Sequence, residues 1–552
     1  MAFSSRTRKA LTLTVALAAA TALAACGAGK KDDNKSSAAP GTNANTSATS
    51  GGKPITIGTT DQVVALDPAG SYDNGSLLLE DNIYQFLMSV PAGGKAPQPD
   101  AAQKCSFTKP TQYTCVLKPN QKFSNGDPLT AEDVVFSFNR INKINNPNGP
   151  ASLIGNMKSV AAQGTDTVVF TLKNPNDQTW PFVLGTSAGP IVDHKVFPAD
   201  KLLDDSKVIG SGPYAISSYS KNSLVQLKAN PNYAGDNKPK TNQITLKYYT
   251  QSSNMKLDVQ SGQIDIAWRS LTPTDVDSLK GDSNVKVLTG SGGELRYLVF
   301  NFKTMPGKND AQKLAIRQAM AYTVDRQDLA DNVYKGTYQP AYSMIPKGIA
   351  DATEPFKQVY GDKPNKAKAK QVLDAAGVST PVTLNIDYTT DHYGPTSADE
   401  YNQLKRDFEA TGLFKVNIQG TAWTTYNAER VKDTYPIYQL GWFPDFVDGD
   451  NYLGPFLAEN NFVHAHYCDP GATNRPCDKD GVLPLLTKEE TQTGADRTQA
   501  FADIQSKLAT GTLPLLPLLS GEQVAVTGKT VSGVQETLDP TYQFRMWLFS
   551  KS

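Results

Sequence analysis

Three potential metal ligands lie close together in the C-terminal part of the sequence. His464, His466 and Cys468 alternate along the chain, so on a β-strand their side chains would point to the same face. Imidazole and thiolate groups are good ligands for transition metals. Against this interpretation, a nearby cysteine could bind Cys468 in a disulfide, and histidines near loops are commonly plain surface residues. A metal site is therefore an alternative and not the main interpretation.

Two further patterns are typical of enzymes but lack the context that catalysis needs. Residues 185–189 read Gly-Thr-Ser-Ala-Gly, which fits the G-x-S-x-G pattern of serine hydrolases. That nucleophile needs a strand, a sharp turn and then a helix, whereas Pro190 follows here. Gly528-Lys529-Thr530 lacks the earlier glycine of a phosphate-binding loop, because Gln523 stands in its place. We therefore expect no enzymatic activity, with a serine hydrolase as a remote alternative, and we expect no cofactor.

The N-terminal segment has the features of an export signal. Basic residues between positions 6 and 9 precede an apolar run over residues 10–25, which is too short to span a bilayer. The run ends in Leu-Ala-Ala-Cys at Cys26, which resembles the lipobox of bacterial lipoproteins. We therefore expect residues 1–25 to be a signal peptide and Cys26 to carry the lipid that anchors the protein on the outer face of the cell membrane. An ordinary secretory signal that ends near a cysteine is the alternative.

The segment after Cys26 cannot form a core of its own. Residues 26–53 hold no aromatic and no large aliphatic side chain, so they predict a flexible tether. Without the three basic residues of the signal, 54 Lys and Arg become 51 against 54 Asp and Glu, a formal net charge of −3. This near-neutral balance gives no electrostatic reason to expect nucleic acid as a partner.

The remaining four cysteines fall into two local pairs. Cys105 lies close to Cys115, and Cys468 lies close to Cys477. Outside the reducing cytoplasm this spacing favours two short-loop disulfides. The sequence by itself also permits the other two connectivities.

Strand-like and helical patterns alternate from Pro54 to the end of the chain. The clearest helix begins after Thr130, which can cap it together with Asp133 in a capping box. Interleaved elements of both types predict α/β layers. Strands are predicted over 55–57, 114–117, 167–172 and 244–248, and helices over 128–140, 310–334 with a break at Asp325, 365–376 and 497–509.

Several of these segments together resemble the dipeptide, oligopeptide and nickel-binding family of ABC-transporter solute-binding proteins, known as family 5. The most specific match runs from Leu117 to Arg140, where a turn, a capped helix and an aromatic stripe follow one another. The resemblance covers about residues 54 to 552. Further matches occur in family order at Ala65–Pro68, Gly210–Tyr214, Gly262–Ala267, Ile316–Arg326 and Gly441–Asp445.

The resemblance implies a fold of the type II periplasmic-binding-protein class. Such proteins have two lobes joined by crossing hinge strands, with an extra domain inserted in the first lobe. By this likeness lobe I comprises residues 54–95, 208–296 and 518–552, the inserted domain 96–207, and lobe II 297–517.

The resemblance also implies a ligand site around Asp445. This residue aligns with the aspartate that binds the α-ammonium group of the ligand in peptide-binding members, and Gly441 would let the ligand backbone come close. A buried carboxylate makes a charge-assisted hydrogen bond to an ammonium group, and leaving either charge unpaired is costly. Asp445 could instead be a turn residue beside Pro444, with Asp448 or Asp450 in its role.

Aromatic residues and one arginine complete the expected site. Trp442 and Phe446 offer flat apolar walls, and Trp423 is a weaker candidate for the same role. Trp268 and Arg269 lie near the expected hinge face of lobe I, where Arg269 could bind a ligand carboxylate as a bidentate fork or could be a solvated arginine.

The function implied by the resemblance is that of a receptor for an ABC importer. We expect a monomer that closes its two lobes around a short peptide and delivers it to a permease driven by an ATPase. An oligosaccharide or a nickel or metal-chelate ligand is the alternative cargo for the same role.

Overall fold

A computed structural model of the protein describes residues 52–459 and 461–552. The predicted signal peptide, Cys26 and nearly all of the predicted tether lie outside these ranges. Among the described residues, no helix combines the length and the apolar character that crossing a bilayer would require.

The strands predicted from the sequence are present, most of them a few residues longer than expected. Within the described ranges the strands are β1 (Ile55–Thr59), β2 (Met88–Ser89), β3 (Gln98–Pro99), β4 (Ala102–Lys109), β5 (Gln112–Leu117), β6 (Met157–Gln163), β7 (Thr167–Leu172), β8 (Tyr214–Ser220), β9 (Leu224–Ala229), β10 (Gln243–Tyr248), β11 (Ile266–Trp268), β12 (Val285–Phe300), β13 (Tyr338–Pro340), β14 (Val382–Thr389), β15 (Phe414–Thr421), β16 (Ile437–Trp442), β17 (Leu515–Gly528), β18 (Val531–Ser532) and β19 (Ser550–Lys551).

The four predicted helices are also present, and the predicted break at Asp325 is a capped restart of the helix. The α-helices of the described residues are α1 (Asn74–Ile83), α2 (Ala131–Ile144), α3 (Trp180–Val183), α4 (Ser252–Gln260), α5 (Pro273–Leu279), α6 (Asp310–Thr323), α7 (Arg326–Asp328), α8 (Pro355–Tyr360), α9 (Lys366–Ala375), α10 (Ser397–Ala410), α11 (Trp423–Arg430), α12 (Gly454–Leu457), α13 (Pro476–Asp480), α14 (Leu483–Thr491) and α15 (Gly494–Thr510).

One large mixed sheet extends through most of the molecule. Its strand order is β15-β14-β16-β12-β17-β11-β1-β10-β9-β8, and β13 pairs with β17 outside this path. The two long strands β12 and β17 pair antiparallel from Val285 opposite Gly528 to Val299 opposite Leu515, with an irregularity between Ser291 and Leu295. These two strands therefore connect the two halves of the sheet, as crossing hinge strands do.

A second sheet is entirely antiparallel and separate from the first. Its order is β4-β5-β7-β6, and helix α2 packs against β6 and β7. The predicted capping box of α2 is confirmed, because the Asp133 carboxylate accepts hydrogen bonds from the Thr130 amide at 2.8 Å and from its hydroxyl at 2.9 Å.

Two of the motifs that carry the family resemblance meet in a buried ion pair. Arg140, at the end of the long motif, donates to both carboxylate oxygens of Asp67 at 2.5 and 2.6 Å. Asp67 also caps the short 3-10 turn Pro68–Gly70 and accepts from the Leu203 amide at 2.6 Å. These motif residues are therefore scaffold, and they fix the corner of the chain that leads into α1.

The hydrophobic core is divided into separate clusters. One consists almost entirely of residues from 295–519, a second combines residues from 55–84, 192–268 and 525–549, and a third lies within 69–191. A fourth, smaller cluster joins residues from 249–285 with Val526. The clusters do not test the domain boundaries given above, which stay a prediction.

Both local cysteine pairs form disulfides. Cys105 and Cys115 lie directly opposite each other on β4 and β5, and their sulfur atoms are bonded. Cys468 is bonded to Cys477 at the start of α13. The predicted pairing is confirmed, and the two other connectivities are excluded.

Candidate ligand-binding cleft

A cleft of about 350 Å³ contains most of the predicted site residues. Among its lining residues are five of the seven predicted ligand contacts, namely Asp445, Trp442, Gly441, Trp268 and Trp423. The cleft is also lined by Tyr72, Asp73, Asn74, Leu77, Asp81, Gly185, Thr186, Ser187, His392, Tyr393, Phe443, Pro444, Phe462, Thr541, Tyr542 and Gln543.

A second cavity is larger, at about 1150 Å³, but its lining is less suited to a specific small ligand. It holds six acidic residues and four lysines, and Tyr342 is its only aromatic lining residue in the described part of the chain. Organic ligands are commonly bound by aromatic walls with a few placed polar groups. The smaller cleft has that composition, so we treat it as the candidate site.

Asp445 is held by two neutral hydrogen-bond donors. The Tyr72 hydroxyl donates to its Oδ1 atom, and the Asn451 side-chain amide donates to its Oδ2 atom at 3.2 Å. In the ranges that the structure describes, no Lys or Arg makes an ion pair with this carboxylate. Burial raises the pKa of Asp445 above its ordinary value of 3.8, and the two hydrogen bonds partly oppose the shift. The site therefore holds a carboxylate that a cationic ligand group would stabilise.

Asn451 positions two of the predicted ligand contacts, and sequence reasoning missed it. Its Oδ1 atom accepts from the Trp442 indole at 3.0 Å and from the Asp445 amide at 2.8 Å. Asn451 is 3 % exposed and lies in the 3-10 turn Gly449–Tyr452. The only signal in the sequence was a polar residue six positions after Asp445, which by itself does not distinguish a buried amide from a surface one.

The two alternative acidic residues do not line the cleft. Asp448 caps the turn that carries Asn451 and forms a bidentate ion pair with Arg497 at 2.7 and 2.8 Å. Asp450 lies beside Glu489, and burial raises the pKa of Asp450 to about 6. Both residues belong to the turn or cap it without lining the cleft. Asp445 is therefore the acidic residue of this segment that lines the cleft.

Trp423 belongs to an aromatic wall that several contacts hold in place. Its indole stacks on His392 with ring centres 3.8 Å apart, and its backbone amide donates to Asp391 at 2.8 Å. Tyr393 follows His392 in the chain, and its ring centre lies 4.4 Å from the guanidinium carbon of Arg296. Arg296 also donates a hydrogen bond to the backbone carbonyl of Tyr393 at 2.9 Å. The buried arginine on β12 therefore fixes the loop from which the wall is built.

Trp442 and Gly441 form the adjoining wall at the end of β16. The Trp442 ring packs against Phe456 and Phe462 at 5.1 and 5.3 Å. A Cβ atom at Gly441 would lie 3.0 Å from Arg296 and 3.0 Å from Tyr393. The packing behind Gly441 thus leaves little room for a side chain, and its role toward the ligand backbone stays a prediction.

Trp268 reaches the cleft, whereas Arg269 does not line it. The Trp268 ring stacks on Phe544 at 4.3 Å and is 2 % exposed. Arg269 has a left-handed backbone with φ of 62°, pairs with Asp61 at 3.0 Å, and lies over the rings of Phe443 and Tyr542. It is therefore neither a solvated arginine nor a lining residue in this conformation, and its carboxylate-binding role stays a prediction.

Phe446 also points away from the cleft. Its ring lies 5.9 Å from Phe182 and packs against the core that contains the antiparallel sheet. It is thus a packing residue between two clusters in this conformation.

The charges that line the cleft are acidic. Asp73, Asp81 and Asp445 line it, while none of the described lining residues is a Lys or an Arg. Burial raises the pKa of Asp81 to about 7, and the nearby charge of Arg545 partly opposes this shift. The electrostatic balance therefore favours a ligand with a positively charged group.

The alternating metal-ligand pattern does not form a site. His464 and His466 both have left-handed backbones, with φ of 56° and 61°, and no strand contains them. The two ring nitrogens of His466 lie 2.6 Å from Asp433 and 2.5 Å from Asp469. Since Cys468 is in a disulfide, the structure does not support the alternative of a metal site shared by these three residues.

The serine-hydrolase pattern lacks the geometry of a nucleophile. Residues 185–189 follow the short helix α3 and lead into an irregular segment, so no strand lies directly before Ser187 and no helix lies directly after it in the described chain. Ser187 is 3 % exposed. This geometry gives the remote hydrolase alternative no support. Gly528 ends strand β17, and no phosphate-binding loop comes before it in the described chain.

Comparison with known proteins agrees with the architecture. A family model described as bacterial extracellular solute-binding proteins, family 5 Middle, matches residues 96–463. The probable D,D-dipeptide-binding periplasmic protein DdpA of Escherichia coli strain K12 is 28 % identical over 466 residues, which cover 81 % of this chain and 85 % of that protein.

Two solved structures show the same fold. HbpA2 from Haemophilus parasuis superposes with a TM-score of 0.77 at 20 % identity, covering 91 % of this chain and 100 % of that one. The periplasmic binding protein DppA from Helicobacter pylori, in complex with the peptide STSA, gives a TM-score of 0.71 at 19 % identity, covering 91 % and 98 %. The predicted type II periplasmic-binding-protein fold is thereby confirmed. The prediction that the protein is not an enzyme is confirmed by the family match, which is to solute-binding proteins. The chain belongs to family 5 of the bacterial extracellular solute-binding proteins.

Proposed function

We propose that the protein is a receptor that binds short peptides in this cleft for an ABC importer. The observation that carries the proposal is Asp445, a partly buried carboxylate in an aromatic cleft that has no cationic partner among the described residues. An α-ammonium group would supply the missing positive charge. The relatives named for dipeptide and oligopeptide binding support the same ligand class.

The proposed mechanism is closure of two lobes around the peptide. Tyr72, Asp81 and Trp268 reach the cleft from segments assigned to lobe I, while Asp445 and Trp423 reach it from segments assigned to lobe II. A ligand that contacts both sides stabilises the closed state, because only that state offers all the contacts. The long strands β12 and β17 would act as the hinge.

Membrane attachment and transport partners complete the proposal. We infer that Cys26 carries the lipid anchor and that the closed receptor delivers peptide to a permease, with a cytoplasmic ATPase as the source of energy. An oligosaccharide is the competing ligand, because aromatic walls such as Trp423 and Trp442 also stack on sugars. The sugar alternative does not use the charge of Asp445, which provides a test.

Isothermal titration calorimetry with the Asp445→Asn variant tests the proposal. Affinity for a tripeptide with a free N-terminus should fall by tenfold or more, because a buried ammonium group would lose its charged partner. The N-acetylated form of that tripeptide should bind the wild type weakly and be little affected by the substitution. Asp236→Asn, at a side chain that is 86 % exposed, is the matched control and should bind normally.

Two results would contradict this function. Equal affinity of the wild type for the free and the acetylated peptide would exclude recognition of the ammonium group. Binding of an oligosaccharide with the same affinity in wild type and Asp445→Asn, together with no binding of peptides, would favour the sugar alternative.

A further inference from the structure

The Tyr72 hydroxyl group contacts Asp445 from the opposite side of the cleft. The two residues are 373 positions apart in the chain, and the hydroxyl donates to the Oδ1 atom of the carboxylate. The Tyr72 side chain is 41 % exposed, so a ligand in the cleft can reach it. A rigid tyrosine at this place could take part in recognition of the ligand.

The backbone on both sides of Tyr72 is firmly held. Ser71 is fully buried, and its hydroxyl donates to Glu80 at 2.5 Å. Asp73 caps helix α1 by accepting from the Ser76 amide at 2.9 Å. Before them, Asp67 is fixed by its ion pair with Arg140. The tyrosine therefore extends from a corner with little freedom to move, as a preorganised binding group should.

The hydrogen-bonding capacity of this pair suits an ammonium group. When its O–H donates to Asp445, the Tyr72 oxygen keeps lone pairs that can accept a hydrogen bond. The Asp445 Oδ2 atom is engaged by Asn451, while its carboxylate retains further acceptor sites. An ammonium group has three N–H donors and can use acceptors from both sides at once.

We propose that Tyr72 is a second acceptor for the ammonium group of the ligand, so that each side of the cleft contributes one acceptor to the same group. This inference rests on the peptide-binding function proposed above and adds a specificity-determining residue to it. It predicts selection for a primary ammonium group, which has enough donors for both acceptors. A trimethylated N-terminus keeps the positive charge but has no N–H group, so it cannot donate a hydrogen bond to either acceptor.

The Tyr72→Phe variant isolates the hydroxyl group while keeping the ring. In calorimetry with the free tripeptide, its affinity should fall by about tenfold, the usual loss when a hydrogen bond to a charged group is removed. Affinity for the N-acetylated tripeptide should not change between wild type and variant. The trimethylated tripeptide should likewise bind both proteins equally, because it cannot donate to the hydroxyl oxygen.

A matched control removes a similar hydrogen bond elsewhere. The Tyr249 hydroxyl donates to Asp258 at 2.6 Å, and neither residue lines the cleft. Tyr249→Phe should therefore bind the free tripeptide with wild-type affinity. Thermal unfolding of both variants reports whether each protein is folded, and the binding results count only for folded protein with a normal unfolding transition.

Failure of this inference can be told apart from failure of the proposed function. If Asp445→Asn weakens binding but Tyr72→Phe binds as tightly as wild type, the role of Tyr72 is disproved and the function stands. If Tyr72→Phe binds more tightly, the hydroxyl competes with the ligand for Asp445, which also overturns the inference. If the wild type does not distinguish free from acetylated peptide, the proposed function itself fails.

Discussion

At the scale of single residues, Asp445 combines partial burial with the lack of a cationic partner in the described chain. Because its pKa is raised above 3.8, the folded protein binds this proton more tightly than the unfolded chain does. The free energy of unfolding therefore decreases as the pH rises from about 3.8 through the raised pKa of Asp445. A cationic group of the ligand would offset the loss of stability that the ionised Asp445 causes. Reduced stability in exchange for function is common at binding sites.

The Asp445→Asn variant should consequently unfold at a higher temperature than the wild type at pH 7 without ligand. The reason is that the neutral amide avoids placing an unpaired negative charge in the cleft. The difference should shrink as the pH falls from the raised pKa of Asp445 towards the ordinary value of 3.8, and it should be lost below 3.8, where the carboxyl is protonated in both states. Scanning calorimetry across this pH range measures it, and a variant that is less stable than wild type at pH 7 would contradict the burial argument.

Asn451 offers a second test at the residue scale. The Asn451→Ala variant should lose about 1–3 kcal/mol in the free energy of unfolding, because the Trp442 indole and the Asp445 amide would lose their acceptor. Affinity for peptide should fall as well, since Asp445 would no longer be held. Urea unfolding and calorimetry measure the two effects.

An exposed asparagine provides the control for Asn451. Asn417 donates to Asn385 at the surface of strand β15. Asn417→Ala should change neither stability nor affinity by a measurable amount. If Asn451→Ala behaved like this control, the positioning role of Asn451 would be disproved.

At the scale of elements, the two disulfides close short loops away from the cleft. Removing the bond between β4 and β5 with Cys105→Ser and Cys115→Ser should cost about 2–3 kcal/mol of unfolding free energy, as expected for a loop with a sequence separation of 10. Peptide affinity should stay unchanged, because neither cysteine lines the cleft. Urea unfolding with a parallel calorimetric titration checks both points, and a loss of affinity in folded protein would show coupling between this sheet and the cleft.

The helices and turns around the cleft act mainly as supports. The turn Gly449–Tyr452 carries Asn451 and is held from behind by Asp448 and Arg497. The loop before α10 carries His392 and Tyr393 and is held by Arg296 on strand β12. Binding residues on short irregular segments are thus fixed by buried charged residues on regular ones.

At the scale of the whole molecule, the cleft joins elements that are far apart in the chain and has an acidic lining. At pH 8, above the pKa of about 7 of Asp81, a peptide with a lysine side chain should bind roughly tenfold more tightly than one with glutamate at the same position, because Asp73 and Asp81 add negative potential. The preference should weaken at high salt. Calorimetry with a matched peptide pair measures it.

The same measurement on Asp81→Asn should narrow the difference between the two peptides. Asp81 lines the cleft and makes no hydrogen bond to another side chain in the described part of the protein. If the wild type instead preferred the glutamate peptide, the electrostatic argument for a cationic ligand would be wrong.

Much of the architecture could be predicted because it depends on short-range chemistry. The capping box of Thr130 and Asp133 spans four residues, so its spacing indicates it directly. The two disulfides have sequence separations of 10 and 9, which favoured the local pairs without excluding the other connectivities. Gly441 and Asp445 of the predicted site motif line the cleft, and their role in binding a ligand stays a prediction. The alternation of His464 and His466 does not put their side chains on one face of a strand, because both have left-handed backbones in a loop, which leave no trace in the order of residue types.

The sequence by itself predicted the clearest helices and strands, favoured the local cysteine pairs and carried the family resemblance, because helix and strand periods, caps, short loops and motifs can be read along the chain. Only the tertiary structure decided which side chains meet in the cleft. The contact of Tyr72 with Asp445, the support from Asn451 and the burial of Arg269 depend on packing between distant segments. Such contacts arise when two long strands and two hydrophobic cores bring those segments together, and no local spacing encodes them.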